Sequence, residues 1–271
     1  MSEKKEQKIV VCLSLALSDK NLILNGIKIA AIFRKELCLL YRYPHSKKKF
    51  SDEYKSKLND YLLPIRNEIA GLKVSTLLMT ERLRELPEKL SDDWEAIFMI
   101  APSSQFSLYA KAVTESPIPF LFVNEKAEQM PEYNKIVLPV DLRKENDDSA
   151  MWSSYFGRFN HAEIVVVAAN DKGKDNQEQV AKNVVLTKKL FQKLNIRHKI
   201  YKGRGSSLRN TFEALELAQS SNADLLIILG SSVITPIDLL VGLPEKKIIR
   251  QAGRLPVLVI NPRKDNYILC D

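Results

Sequence analysis

The chain has 271 residues, 45% of them hydrophobic, and domains run to about 100–150 residues, so a folded soluble protein of two domains is expected. Lys and Arg number 41 against 33 Asp and Glu, a net charge of +8, but the excess is scattered except in SKKKF (46–50) and TKKL (187–190). With no arginine-rich arm and no basic stripe carrying aromatic residues, nucleic-acid binding is not expected.

The amino terminus, MSEKKEQKIVVCLSLALS, imitates a short signal peptide, with lysines ahead of an apolar run. Glu3 and Glu6 dilute its positive start, and the same pattern returns inside the chain, where no signal peptide can stand. No apolar run approaches the roughly 20 residues of a membrane span, so no membrane association and a cytoplasmic location are expected.

KIVVCLSL (8–15) opens a series of short Val/Ile/Leu-rich runs that continues with ELCLLYRY, KVSTLLMT, EAIFMIAP (95–102) and PFLFVNE. Each reads as a strand apolar on both faces. Pro87 in ERLRELPEKLSDDW is expected to cut a helix there or confine it to one or two turns. Ser103 and Ser104 read as caps of the helix QFSLYAKAV.

After AEQMPEYN (127–134), the expected joint, the same order begins again. KIVLPVDL (135–142) matches KIVVCLSL, with Asp141 facing Ser14; ADLLIILG (223–230) matches EAIFMIAP; LPVLVINPRK (255–264) matches IPFLFVNEK. A repeat near 130 residues is domain-sized, so one fold is written twice. AEIVVVAA and IRHKIYKG supply further strands, and QEQVAKNVVLTKKLFQKL and SLRNTFEALELAQSSN have helical period. The predicted fold class is therefore α/β, two tandem doubly wound five-stranded parallel sheets in domains 1–126 and 134–264.

Cys12, Cys38 and Cys270 form no CxxC and no metal spacing, and two lie in apolar runs, so they read as core thiols in a reducing compartment. His45, His161 and His198 stand far apart, and solvated or locally bonded histidine is expected at each. No GxxxxGK, no GxGxxG after the first strand and no nucleophile elbow is present. No metal, no catalytic residue and no enzymatic activity is predicted.

The strand ending in PVD, the turn KGRGS, ADLLIILG and the closing helix leading into PVLVI together resemble the universal stress protein family. The resemblance implies a five-stranded domain of the adenine-nucleotide alpha hydrolase type, with tandem copies paired as a pseudo-dimer through PFLFVNE and PVLVIN, strands that read otherwise as ordinary edges covered by helices. One branch of the family binds adenine nucleotide. In it a glycine ends the fourth strand, another follows three residues on, and a Gly-Ser or Gly-Thr pair opens the last helix. The candidate nucleotide-binding residues carried over are Asp141, Gly230, Ser231 and Gly242.

Several donors of that pattern are replaced. Val233 stands where the second glycine would be, Leu243 where the hydroxyl would be, and Pro244 has no N–H. Glu245 adds negative charge to the first helical turn, which Lys246 and Lys247 offset in part. Losing two hydrogen bonds to a charged group costs about 3–6 kcal/mol, which turns micromolar binding into millimolar. Asp141 admits a second reading, an acid starting a turn, and Gly203 reads as a turn residue ahead of a second reading as pocket lining. In the first copy Ser14 replaces the acid and EAIFMIAP ends without glycine, so no nucleotide is expected there.

The expected function is a non-enzymatic stress-response protein, without cofactor, working through unidentified protein partners or a small ligand, with a homodimer admitted. The alternative is an adenine-nucleotide sensor, holding ATP or another adenine nucleotide in the second domain.

Overall fold

The computed structural model describes residues 6–127, 132–231 and 243–261. Two compact units divide them, residues 6–127 and residues 132–231 with 243–261. Val233, Gly242, Cys270 and half of the expected joint, 128–131, lie outside the described residues.

The first unit runs β1 (Lys8–Leu13), α1 (Asp19–Phe33), β2 (Glu36–Arg42), α2 (Ser51–Glu68), β3 (Val74–Met79), α3 (Leu86–Trp94), β4 (Ala96–Pro102), α4 (Phe106–Glu115) and β5 (Phe120–Val123). Its strands lie in the order β3-β2-β1-β4-β5, every neighbouring pair parallel. The second unit runs β6 (Lys135–Val140), α5 (Asn146–Asn160), β7 (Glu163–Ala168), α6 (Lys174–Lys193), β8 (His198–Lys202), α7 (Ser207–Ser220), β9 (Leu225–Leu229), α8 (Pro244–Ala252) and β10 (Val257–Ile260). Its order, β10-β9-β6-β7-β8, repeats that of the first.

Apolar continuity explains the central strands. All seven residues of β4 and all five of β9 are buried, as a sheet covered on both faces requires. By contrast β8 ends its sheet, and its HKIYK leaves Tyr201 49% exposed. In each unit the chain steps outward from the first strand to one side and then returns to the other. The order reverses between β1 and β4, and between β6 and β9. Such switch points leave a crevice at the carboxyl ends of the strands.

Two local expectations need correcting. Pro87 opens α3 rather than cutting it, because in the first turn its missing N–H has no helical partner to lose. Ser103 and Ser104 do not cap α4: they form a 3₁₀ turn with Gln105, and the Ser104 hydroxyl donates to Glu125 instead. The core thiols are as expected, with Cys12 and Cys38 buried. His198 makes a local contact, its Nδ1 lying 2.8 Å from the Ile196 carbonyl.

Candidate functional site: the strand ends of each unit

Asp141 follows β6 directly and is 3% exposed. Its carboxylate accepts from the Arg143 backbone N–H at 2.9 Å, from Arg143 Nε at 2.9 Å and Nη2 at 2.7 Å, and from Asn146 Nδ2 at 3.2 Å. A planar guanidinium meeting both carboxylate oxygens is a strong ion pair, and it satisfies the acid within the chain. The turn itself is pinned from behind, since Asn183 Nδ2 donates to the Asp141 and Arg143 carbonyls at 2.9 Å each. Arg143 Nη1 also reaches the Leu229 carbonyl at 3.2 Å. It thereby bridges the carboxyl ends of β6 and β9, across the switch point.

Gly230 and Ser231 leave β9 beside that bridge. The Gly230 N–H donates to the Ile260 carbonyl at 2.8 Å, so it is engaged within the sheet. A Cβ on Gly230 would stand 3.0 Å from Val259 Cγ1, so packing against β10 is itself a reason for glycine here. Ser231 donates its N–H to Glu245 Oε1 at 2.5 Å and its hydroxyl to the same oxygen at 2.8 Å. Glu245 is the second residue of α8, 5% exposed, and its Oε2 has no hydrogen-bond partner among the described residues. The helix amino terminus and Ser231 thus face a carboxylate that the chain itself supplies.

The neighbouring loop follows the same rule. Glu213 accepts from the Arg204 N–H at 2.8 Å and the Gly205 N–H at 2.9 Å. Gly203 lies where a Cβ would come within 2.8 Å of Glu213 Oε2 and 2.9 Å of the Ala168 carbonyl. Asp171 accepts the Ser207 N–H at 3.1 Å at the start of α7. Asn210, fully buried, donates to the Val140 and Val167 carbonyls at 3.0 Å each, clipping β6 to β7. Lys247, one of the two lysines expected to attract an anion, sits 5.2 Å over the Phe212 ring.

In the first unit the equivalent strand end carries Ser14. Its N–H donates to Asp19 Oδ2 at 2.9 Å and its hydroxyl to Asp19 Oδ1 at 2.8 Å, and the Ala16 N–H joins at 3.2 Å. Asp19, 1% exposed, is the first residue of α1. A cavity of about 220 Å³ opens nearby, lined by the ends of β1 and β2, by α3, and by the start of α4. Burial pushes the Cys12 thiol on its floor up to about 12, against a smaller opposing effect of the hydrogen-bonded Tyr109. Burial likewise holds the Tyr109 hydroxyl well above its ordinary range.

Of the expected nucleotide residues, the fold brings Asp141, Gly230 and Ser231 to adjacent strand ends, while Gly242 lies outside the described residues. Arg143, Asn183, Asn210 and Glu213 went unread in the sequence. Arg143, two residues past an acid at a strand end, is the one with a local signal. Among the described residues no group of three His, Cys, Asp or Glu side chains could hold a metal, and no helix is long and apolar enough to cross a membrane.

No family model matches the sequence, and no curated protein matches it. Solved structures do. A universal stress protein from Archaeoglobus fulgidus DSM 4304 superposes with a TM-score of 0.69 at 13% identity, covering 96% of this chain and 100% of its own. A functionally unknown protein from Pseudomonas aeruginosa PAO1 gives a TM-score of 0.63 at 16% identity, covering 95% of this chain and 93% of its own. The chain has the α/β fold of a two-domain universal stress protein.

Proposed function

We propose that the chain is a non-enzymatic, cytoplasmic regulatory protein of the universal stress type, acting through protein partners or a small ligand and holding no ATP tightly. The duplicated domains are taken as 1–126 and 134–264, a reading supported by the two compact units.

The observation that carries the reading is the Glu245 carboxylate on the Ser231 N–H and hydroxyl. A phosphate entering there must displace an anion already held by the same donors, and must also meet the second oxygen of the buried Glu245 carboxylate. Like charges in a partly buried space repel, and both Ser231 donors are already engaged. At about millimolar affinity, 1 mM ATP stabilises by only about 0.4 kcal/mol. Melting of the full chain with 1 mM ATP is therefore expected to move by at most about 2 °C. A rise of several degrees would overturn the reading.

The second reading, an adenine-nucleotide sensor, draws on the same feature: Ser231 already presents two donors to an anion. It requires Glu245 to leave. If Glu245→Gln gains thermal stabilisation from ATP that the parent chain lacks, the site is a nucleotide seat closed by its own side chain. If both respond alike, Glu245 has no such role.

A further inference from the structure

Arg42 ends β2 in the first unit and is half-buried. Among the described residues its guanidinium makes one hydrogen bond, from Nη1 to the Glu81 carbonyl at 3.4 Å, and no ion pair. The nearby carboxylates are committed elsewhere. Glu81 accepts from Lys89 Nζ at 2.5 Å and from the Thr80 N–H at 3.0 Å, and Asp19 accepts from Ser14 and Ala16. A guanidinium has five donors in a fixed fork that matches a carboxylate, and here they are almost unused.

Arg42 lines the 220 Å³ cavity, together with Leu13, Leu40, Leu83, Leu86 and Leu108. Gln105 and Tyr109 bring to the same wall the start of α4, a ten-residue helix whose amino-terminal end favours negative charge. Leu108, 58% exposed, leaves the cavity open to solvent. At about 220 Å³, and with polar as well as apolar walls, the cavity has room for one ring with a small charged group. It lies below the roughly 300–1,000 Å³ of sites that enclose larger ligands.

We propose that this cavity is a binding site for a small amphipathic carboxylate, its apolar body among the leucines and its carboxylate on Arg42. The site lies in the first unit, so it stands or falls independently of Glu245 and of ATP.

The probe is benzoate, with benzamide as its uncharged counterpart, titrated into the full chain labelled at leucine methyls. Benzoate is expected to shift the methyls of Leu13, Leu40, Leu83 and Leu86 and to bind about tenfold more tightly than benzamide. Arg42→Gln is expected to weaken benzoate about tenfold and leave benzamide unchanged. Equal binding of the two probes to the unaltered chain would overturn the proposal, as would shifts confined to other leucines, or no binding of either at about 20 mM. The first comparison needs no variant, so a folding defect in Arg42→Gln cannot rescue the idea.

Discussion

At the end of the first strand the two units carry the same two-residue arrangement with its acid on opposite sides of the loop. In the second, the strand end supplies the acid, Asp141, and the first helical residue the amide, Asn146, whose Oδ1 accepts the Asp141 N–H at 3.3 Å. In the first, the strand end supplies a hydroxyl, Ser14, and the first helical residue the acid, Asp19. Both pairs stand five residues apart. An acid at the strand end has few backbone donors and needs a cation, which Arg143 provides. An acid at the helix start is satisfied by backbone N–H groups and the helix end, and needs none. The difference teaches that the charge balance of a crevice follows from which side of one loop bears the carboxylate. The second unit closes this strand end with an ion pair, whereas in the first, among the described residues, neither Asp19 nor the nearby Arg42 makes one.

Removing the acid that has no cation should do the most harm. Asp19→Ala removes a buried carboxylate together with the hydrogen bonds it accepts from the Ser14 N–H and hydroxyl and from the Ala16 N–H, and should cost about 3 kcal/mol in denaturant unfolding. A loss below about 1 kcal/mol would deny that Asp19 organises this loop. Arg143→Met comes next, at about 2 kcal/mol, because Asp141 is left charged, buried and unpaired. Asp141→Asn in the Arg143→Met background should recover part of that loss, and strict additivity of the two changes would mean they do not interact.

The comparison can also be tested by exchange. Asp141→Ser with Asn146→Asp gives the second unit the polarity of the first. The pair should be about 1 kcal/mol more stable than Asp141→Ser alone. No recovery would show that the loops are not interchangeable.

Asp148, in the first turn of α5, offers a smaller, pH-dependent effect. Burial first, then Asp147 and Glu145, raises its carboxyl from the ordinary 3.8 to about 6. Below 3.8 both folded and unfolded states are protonated, and no difference arises. Between 3.8 and 6 the folded state holds a proton the unfolded state lacks, so this group costs stability as pH rises, in full above 6. The melting temperature of Asp148→Asn should therefore gain on the parent between pH 4 and about pH 6.5 and then level off. A gap constant with pH would place the effect elsewhere. Smallest of all is thiol reactivity: with Cys12 pushed up to about 12 and Cys38 to about 11, mainly by burial, alkylation at pH 8 should spare both in the folded chain. Peptide mapping that finds either modified would contradict their burial.

Much of the architecture was legible because strands and helices are local. EAIFMIAP and ADLLIILG are apolar at every pleat position but the edges, and both are central strands. The duplication was legible too, since matching apolar runs return in order. Of the candidate site, the loss of phosphate donors was legible at Leu243 and Pro244, which no packing can turn into donors. The orientation of Glu245 was not. Read along the chain it is a negative charge on a first helical turn; in the fold it crosses 14 residues to Ser231. Gly203 read as a turn residue, and the physical reason for it is the approach of Glu213.

The sequence by itself determined where backbone can pair, where apolar faces must be covered, and which residues have a proton to donate. Those follow from composition and period over a few neighbouring positions. Only the tertiary structure decided which donor meets which carboxylate: Arg143 spans 86 residues to Leu229, Asn183 spans 42 to Asp141, and Arg42 is left beside a cavity. A carboxylate's partner is whatever polar group the fold sets within about 3 Å of it, and that distance bears no relation to separation along the chain.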